Sequence, residues 1–223
     1  FNNMINVWNA YQCFITFIWS RAASFVYCGL RNGYGYRDTV QDIQGIIHLD
    51  PELAGEKIRF MLSAQVDNVG GLPLVKFDHN AGHEHTPDDD SYVRATGHPS
   101  YRADDALWLF PTVYKYIGES GNKDFIDEVI VFANGGEGTV YEHLKRAIMF
   151  SMERLGPNKL PAGLHADWND CLNLNCFSEE PGESFQTFGP SEGPVAESVF
   201  IGGMFVKYGG EYAELCDRIG LTQ

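Results

Sequence analysis

An all-α fold in a single domain is what this sequence predicts. Three observations carry the expectation: apolar residues recur at three- and four-residue spacing over several long windows, capping signals stand at the head of those windows, and no run alternates over more than a short strand. With 223 residues, 44% of them hydrophobic, the chain is long enough for a substantial core. Long helices joined in succession, with two long polar loops between them, are compatible with a toroid of paired helices.

The elements follow in order. Val7, Trp8, Tyr11, Phe14, Ile15, Ile18 and Trp19 trace one apolar face and predict a buried helix over 6–27, with Arg21 near its end. The wider run 5–30 is apolar enough to invite a membrane-spanning reading, but Asn6, Asn9, Gln12, Ser20 and Arg21 interrupt it. Gly29, Gly33 and Gly35 mark a loop over 29–38, without the spacing of a P-loop or a dinucleotide fingerprint. Arg37-Asp38 then opens a helix through Ile47, with Asp38 or Thr39 as its cap. Asp50-Pro51-Glu52 starts the next, with Leu53, Ile58, Met61 and Leu62 as its stripe.

Residues 67–101 form a long loop punctuated by glycine and proline. His79, His83, Glu84 and His85 lie within it, at a spacing that fits no zinc helix. A helix over 103–117 begins at Asp104-Asp105, whose charges suit a helix N-terminus. Thr139-x-x-Glu142 is a capping box for a helix carrying Val140, Leu144, Ile148, Met152 and Leu155, ended by Gly156-Pro157. A second broken loop covers 178–194, and two helices, 195–208 and 211–219, close the chain.

Charge and cysteine usage narrow the function. The 16 Lys and Arg against 30 Asp and Glu give a net charge of −14, with the basic residues scattered, so a nucleic-acid footprint is not expected. Five cysteines, an odd number without a paired framework, point to reduced thiols. Phe1-Asn2-Asn3 has no basic signal-peptide start, and its direct entry into an apolar run suggests a piece of a longer protein.

The densest chemistry lies in Leu164-His165-Ala166-Asp167-Trp168-Asn169-Asp170-Cys171-Leu172. Two carboxylates, an indole and a carboxamide suit sugar chemistry: an acid for a leaving oxygen, a ring for a pyranose face and an amide for hydroxyls. The same residues also suit a helix start, with Asp167 or Asn169 as cap and Trp168 in the core.

Further blocks join this one. Asn6-Val7-Trp8-Asn9, Trp19-Ser20-Arg21-Ala22-Ala23-Ser24, Gly35-Tyr36-Arg37-Asp38-Thr39, Asp104-Asp105-Ala106-Leu107-Trp108-Leu109, Glu142-His143-Leu144-Lys145-Arg146, Ala166 to Leu172 and Ala196-Glu197-Ser198-Val199 follow one another along the chain. In that order they resemble the inverting disaccharide phosphorylases, the family of cellobiose, laminaribiose, cellodextrin and chitobiose phosphorylases. The resemblance implies a β-sandwich ahead of an (α/α)6 barrel with long loops on its active-site face, residues 1–223 being the N-terminal and central part of that catalytic domain. It implies Asp170 as the general acid, Trp168 as a donor-sugar contact, Arg37 and Asp38 as the pair bonding donor hydroxyls, and Arg21 as a phosphate ligand. No cofactor and no metal are implied, because inorganic phosphate is itself a substrate. A cytoplasmic, full-length homodimer acting on a disaccharide, without nucleic acid or membrane as partner, completes the expectation.

The implied chemistry makes physical sense. An inverting hydrolase needs a second carboxylate about 6.5–9.5 Å from the acid to activate water. Phosphate is already an anionic nucleophile, so arginine replaces that base. Residues 173–177 and 181–186 are similar to the cellobiose members, which favours a cellobiose-type β-glucosyl substrate. Residues 19–24 and 71–85 are similar to chitobiose or laminaribiose members, so those substrates stay open. Also open are an inverting hydrolase using Asp38 or Glu197 as base, and a sugar-binding fragment without activity.

Overall fold

The computed structural model describes residues 1–19, 33–67, 75–77, 103–163, 168 and 197–221. Over these residues the chain is mostly helical, as the periodicity predicts, with two small antiparallel ribbons added.

At the start, a π-helical segment Asn3–Asn9 runs on into α1, Ala10–Trp19. The expected helix 6–27 is present as far as Trp19, and its remainder lies outside the described residues. Burial differs from the expectation: Val7, Trp8, Tyr11 and Ile18 are exposed, while Phe17 enters the core. Spacing defines an apolar face, but only tertiary structure decides what covers it. Lys57 fastens this helix, with its ammonium 3.7 Å from the centroid of the Tyr34 ring and 5.3 Å from that of Phe17.

Part of the expected loop 29–38 is a strand. β1 (Gly33–Gly35) pairs antiparallel with β2 (Val75–Phe77), which puts Tyr34 opposite Lys76. α2 (Tyr36–Ile43) follows directly. It starts before the expected Asp38 or Thr39 cap and stops before Ile47, since Gly35 takes the cap position and 44–49 are turns. α3 (Pro51–Leu62) obeys its sequence signals: Asp50 Oδ1 accepts the Leu53 N–H at 3.0 Å, Pro51 occupies the first turn, and Ile58, Met61 and Leu62 are buried.

The expected helix at 103 opens instead as a 3-10 turn, Asp105–Trp108, before α4 (Leu109–Ser120), which Gly121 ends at φ 69° in the left-handed region. A second 3-10 turn, Lys123–Asp127, leads into the hairpin of β3 (Val129–Val131) and β4 (Glu137–Thr139). The predicted capping box then starts α5 (Val140–Met152): Thr139 Oγ1 accepts the Glu142 N–H, and Glu142 Oε2 accepts the Thr139 N–H at 2.7 Å. α5 stops at Met152, ahead of Gly156-Pro157. Leu155 lies instead in an extended bridge to Pro161 and is exposed. The two helices expected at the end are one, α6 (Val199–Arg218), which passes through Gly209-Gly210 without a break.

The core gathers Tyr36, Val40 and Ile43 of α2, Ile58, Met61 and Leu62 of α3, Phe110 and Val113 of α4, Leu144 and Ala147 of α5, and Ile201 and Met204 of α6. α4 lies between α3 and α6. Its Phe110 meets Tyr212 edge-on at 5.3 Å, and its Tyr116 ring lies against Gly55, where an added Cβ would stand 2.6 Å from the phenol oxygen. Polar ties reinforce these contacts. Arg59 grips Glu128 with two bonds of 2.6 and 2.9 Å, joining α3 to the hairpin. His143, fully buried, has Nδ1 2.7 Å from Gln65 Oε1, Nε2 3.1 Å from the Ile130 carbonyl, and Phe132 stacked on its ring. Burial holds this imidazole below its usual range, although the Ile130 carbonyl pulls the other way.

Among the described residues no helix is long and apolar enough to cross a membrane. Cys13 and Cys216 are free thiols. His79, His83, Glu84 and His85 lie outside the described residues.

The close approach at Gly55 yields a stability prediction. Gly55→Ala should lower the unfolding free energy by about 1–3 kcal/mol through overpacking. In a Tyr116→Phe background much of that loss should vanish, because the offending oxygen is gone. Urea titration of the four proteins measures the coupling. Equal losses in both backgrounds would remove Tyr116 as the cause.

Candidate functional site

The site grows from the first turn of α2. Tyr36, at 0% exposure, buries its ring beneath this turn, and Gln41 Nε2 donates to the Arg37 carbonyl at 3.0 Å. The Arg37 backbone is thereby fixed from below and behind. Asp38 lies in the same turn, where a carboxylate is favoured by the helix dipole. Its Oδ2 comes within 3.5 Å of where a Cβ on Gly35 would stand, so the chain is smallest where the carboxylate turns back.

Arg37 reaches across the fold. Its Nη1 donates to Asp104 Oδ2 at 3.3 Å, and Trp108 Nε1 donates to the same oxygen at 3.0 Å. Asp104-Asp105 do stand at the start of an element, as the sequence predicts, but buried. Asp104, at the cap position, makes no side-chain cap bond; Asp104 is 0% and Asp105 1% exposed. They are buried because Ala103, Ala106 and Leu107 around them belong to the core, which carries the acids inside with it. Burial drives the Asp104 carboxyl above its ordinary range, against the Trp108 bond and the Arg37 charge, which pull it down. The Tyr36 hydroxyl is likewise pushed up, by burial first and then by the charge of Asp105. Asp104 Oδ1 and the Tyr36 hydroxyl have no hydrogen-bond partner among the described residues.

Asp104 and Trp108 thus join Arg37 in the candidate site, beyond the residues nominated from the sequence. A signal for them existed: two adjacent acids framed by alanines and leucine lie in an apolar stretch that is poorly placed for solvent.

Trp168 approaches from the other end of α6. Its ring lies 5.8 Å from that of Phe200 and is about half exposed, so it is not the core tryptophan of the capping alternative. Trp108 tilts against Tyr208 of the same helix, at 5.8 Å. Phe200 and Tyr208 are eight residues apart, or about 12 Å along an α-helix. One rigid element thus spaces the two indoles. Arg21 and Asp170 lie outside the described residues, as do Asp167, Cys28, Cys171 and Cys176.

Glu197, nominated as a hydrolytic base, is engaged elsewhere. Its Oε1 accepts the Asn158 N–H at 2.7 Å and the Leu160 N–H at 3.3 Å, and its Oε2 accepts Asn158 Nδ2 at 2.9 Å. Gly156 leaves room for it, since a Cβ there would collide with the Glu197 side chain. The carboxylate closes the 156–160 turn, in which Lys159 is left-handed at φ 64°. Among the described residues no cluster of three His, Cys, Asp or Glu could hold a metal ion.

Glu197→Gln tests this assignment. A clasp should lose about 1–3 kcal/mol of stability, the cost of bonds made to a charged group, with turnover of the folded protein within a few-fold. A base would lose turnover by about 10²–10⁴-fold. Thermal denaturation and steady-state rates on one preparation separate the outcomes.

Comparison with known proteins bears on what such a site serves. The family model described as the glycosyl hydrolase 94 superfamily, catalytic domain, matches residues 1–223. The chain is 41% identical to an N,N'-diacetylchitobiose phosphorylase of Vibrio proteolyticus over 185 residues, which is 78% of this chain and 23% of that protein. It is 32% identical to a solabiose phosphorylase of Paenibacillus borealis over 149 residues, 65% of this chain and 16% of that one. A cyclic beta-(1,2)-glucan synthase of Rhizobium meliloti is 31% identical over 191 residues, 78% of this chain and 6% of that protein. The chain thus spans about a quarter of the chitobiose phosphorylase it matches. With its helices, its inward arginine and its half-exposed indole in the matched region, the chain belongs to the glycosyl hydrolase 94 superfamily, within the catalytic domain.

Proposed function

We infer that this chain is part of a phosphorylase that cleaves a β-linked disaccharide with inorganic phosphate, inverting the anomeric centre, and that N,N'-diacetylchitobiose is its substrate. The observation that carries this reading is the 41% identity to a diacetylchitobiose phosphorylase over 78% of the chain. A second such enzyme, from Vibrio furnissii, stands at 40%. These likenesses weigh for the N-acetylated substrate over the cellobiose-type one favoured from the sequence.

In this reading residues 1–223 form the N-terminal and central part of an (α/α)6 barrel. Arg37 and Asp38 bond the donor hydroxyls, and Trp168 offers a ring to the donor. Asp170 protonates the glycosidic oxygen as the bond to the anomeric carbon breaks. A phosphate oxygen, held by Arg21, attacks that carbon from the opposite face. The products are an α-sugar 1-phosphate and a free sugar. Phosphate brings its own negative charge, so no second carboxylate is needed and no cofactor enters the chemistry. The engagement of Glu197 in a turn weighs against a water-activating base there. Free Cys13 and Cys216 and the net charge of −14 accord with a cytoplasmic protein without nucleic-acid partners. A homodimer is proposed for the full-length polypeptide.

The test is kinetic, in a full-length polypeptide carrying this segment. Cleavage should depend on phosphate, with diacetylchitobiose preferred to cellobiose. Asp170→Asn should lower kcat by about 10²–10⁴-fold with little change in disaccharide affinity. Arg21→Ala should raise the KM for phosphate. Cleavage at full rate without phosphate would overturn the phosphorylase in favour of a hydrolase.

A further inference from the structure

We propose that Asp104, seated on Trp108, is the positioning residue of the donor-sugar subsite and sets where the Arg37 guanidinium points. The proposal rests on the reading of Arg37 as a donor-hydroxyl ligand. Its own ground is the geometry of the buried cluster.

Two donors converge on a single oxygen. Arg37 Nη1 at 3.3 Å and Trp108 Nε1 at 3.0 Å both meet Asp104 Oδ2, and Asp104 is 0% exposed. The indole is packed against the core and against Tyr208 on α6, with ring centroids 5.8 Å apart. The position of Oδ2 is therefore inherited from the packing of α6 on the 3-10 turn, and it passes to Arg37 through the bond at Nη1. The other end of Arg37 is fixed by buried Tyr36 before it and by the Gln41 bond to its carbonyl. Both ends of a long side chain are held, and its head stays partly accessible, at 14% side-chain exposure.

The pair differs from Arg59–Glu128, one of the ion pairs that join elements among the described residues. Arg59 and Glu128 meet as a fork on both carboxylate oxygens, at 2.6 and 2.9 Å. That is the strong arrangement for a tie. Asp104 instead takes one nitrogen of the Arg37 fork, and its Oδ1 has no partner among the described residues. A buried acceptor left unbonded costs stability that a purely structural pair would recover. The arrangement gives up strength and keeps direction.

The experiment compares four variants of the full-length enzyme: Arg37→Ala, Asp104→Asn, Trp108→Phe and the Arg37→Ala/Asp104→Asn double. Asp104→Asn keeps the size and an acceptor for the indole but removes the charge facing Arg37. It should raise the KM for the disaccharide and lower its kcat/KM by up to about 10²-fold, the scale of a small misplacement of a binding group. The KM for phosphate should stay within about twofold. A residue that merely stabilises the fold would shift the melting temperature without splitting the two substrates. Trp108→Phe should show the same split in smaller measure. The double variant should be no worse than Arg37→Ala alone, because both act through one group.

If Arg37→Ala raises the disaccharide KM and Asp104→Asn does not, the positioning role is overturned while the subsite stands. If Arg37→Ala itself leaves the disaccharide KM unchanged, the subsite assignment falls and takes this role with it. Should Asp104→Asn not fold, Trp108→Phe decides, and the absence of the split in it overturns the proposal.

Discussion

A carboxylate inside a protein core must find a cation or hydrogen-bond donors, or give up its charge. Asp104 is in that position, and the surrounding architecture can be understood from what it requires. The 3-10 turn that carries it must lie under the first turn of α2, because Arg37 is its cation. Trp108 must sit on the same turn, one helical step later, to bring its indole N–H to the same oxygen. α6 must then cover Trp108, and Tyr208 does so. Removing one partner from such a set leaves an uncompensated charge, which is why buried ionic clusters tolerate little change.

The acids of this chain divide by what they do with their oxygens. Glu128 and Glu197 spend both oxygens on bonds that close the structure, one across elements and one across a turn. Glu142 spends one on the helix start, and the Thr139 N–H bond holds its carboxyl below the usual range. Asp104 is bonded through one oxygen only among the described residues. Residue type alone does not separate these roles; the bonding pattern does.

How much of this was readable from the sequence follows from how local each determinant is. α3 and α5 were readable because Asp50-Pro51 and the Thr139–Glu142 box act within four residues. α6 was divided in two because Gly209-Gly210 is a poor helix sequence, at about 1 kcal/mol per glycine. Ile201, Met204 and Leu215, buried on either side of the pair, keep the helix whole. β1 and β2 escaped notice because three-residue strands lack a period long enough to recognise. Arg37, Asp38 and Trp168 could be nominated through resemblance. The partnership of Arg37 with Asp104 could not, since nothing near either residue announces a contact 67 positions away. A separation of 39 positions likewise hid the engagement of Glu197 with its upstream turn.

That separation has a consequence for biogenesis. Gln65 meets His143 78 positions away, Arg59 meets Glu128 at 69, and Thr112 Oγ1 donates to the Val40 carbonyl at 72. Contacts so distant in sequence are made only after the loop between them has lost its freedom, and they are slow to form. A nascent chain that has left the ribosome only through α3 already holds Arg37 and its helix, yet has none of these partners. Its arginine is present but unaimed, and Tyr36, Ile43 and Met61 are still uncovered. The Arg37–Asp104 contact is thus a late product of synthesis, made only after the helix that carries Arg37.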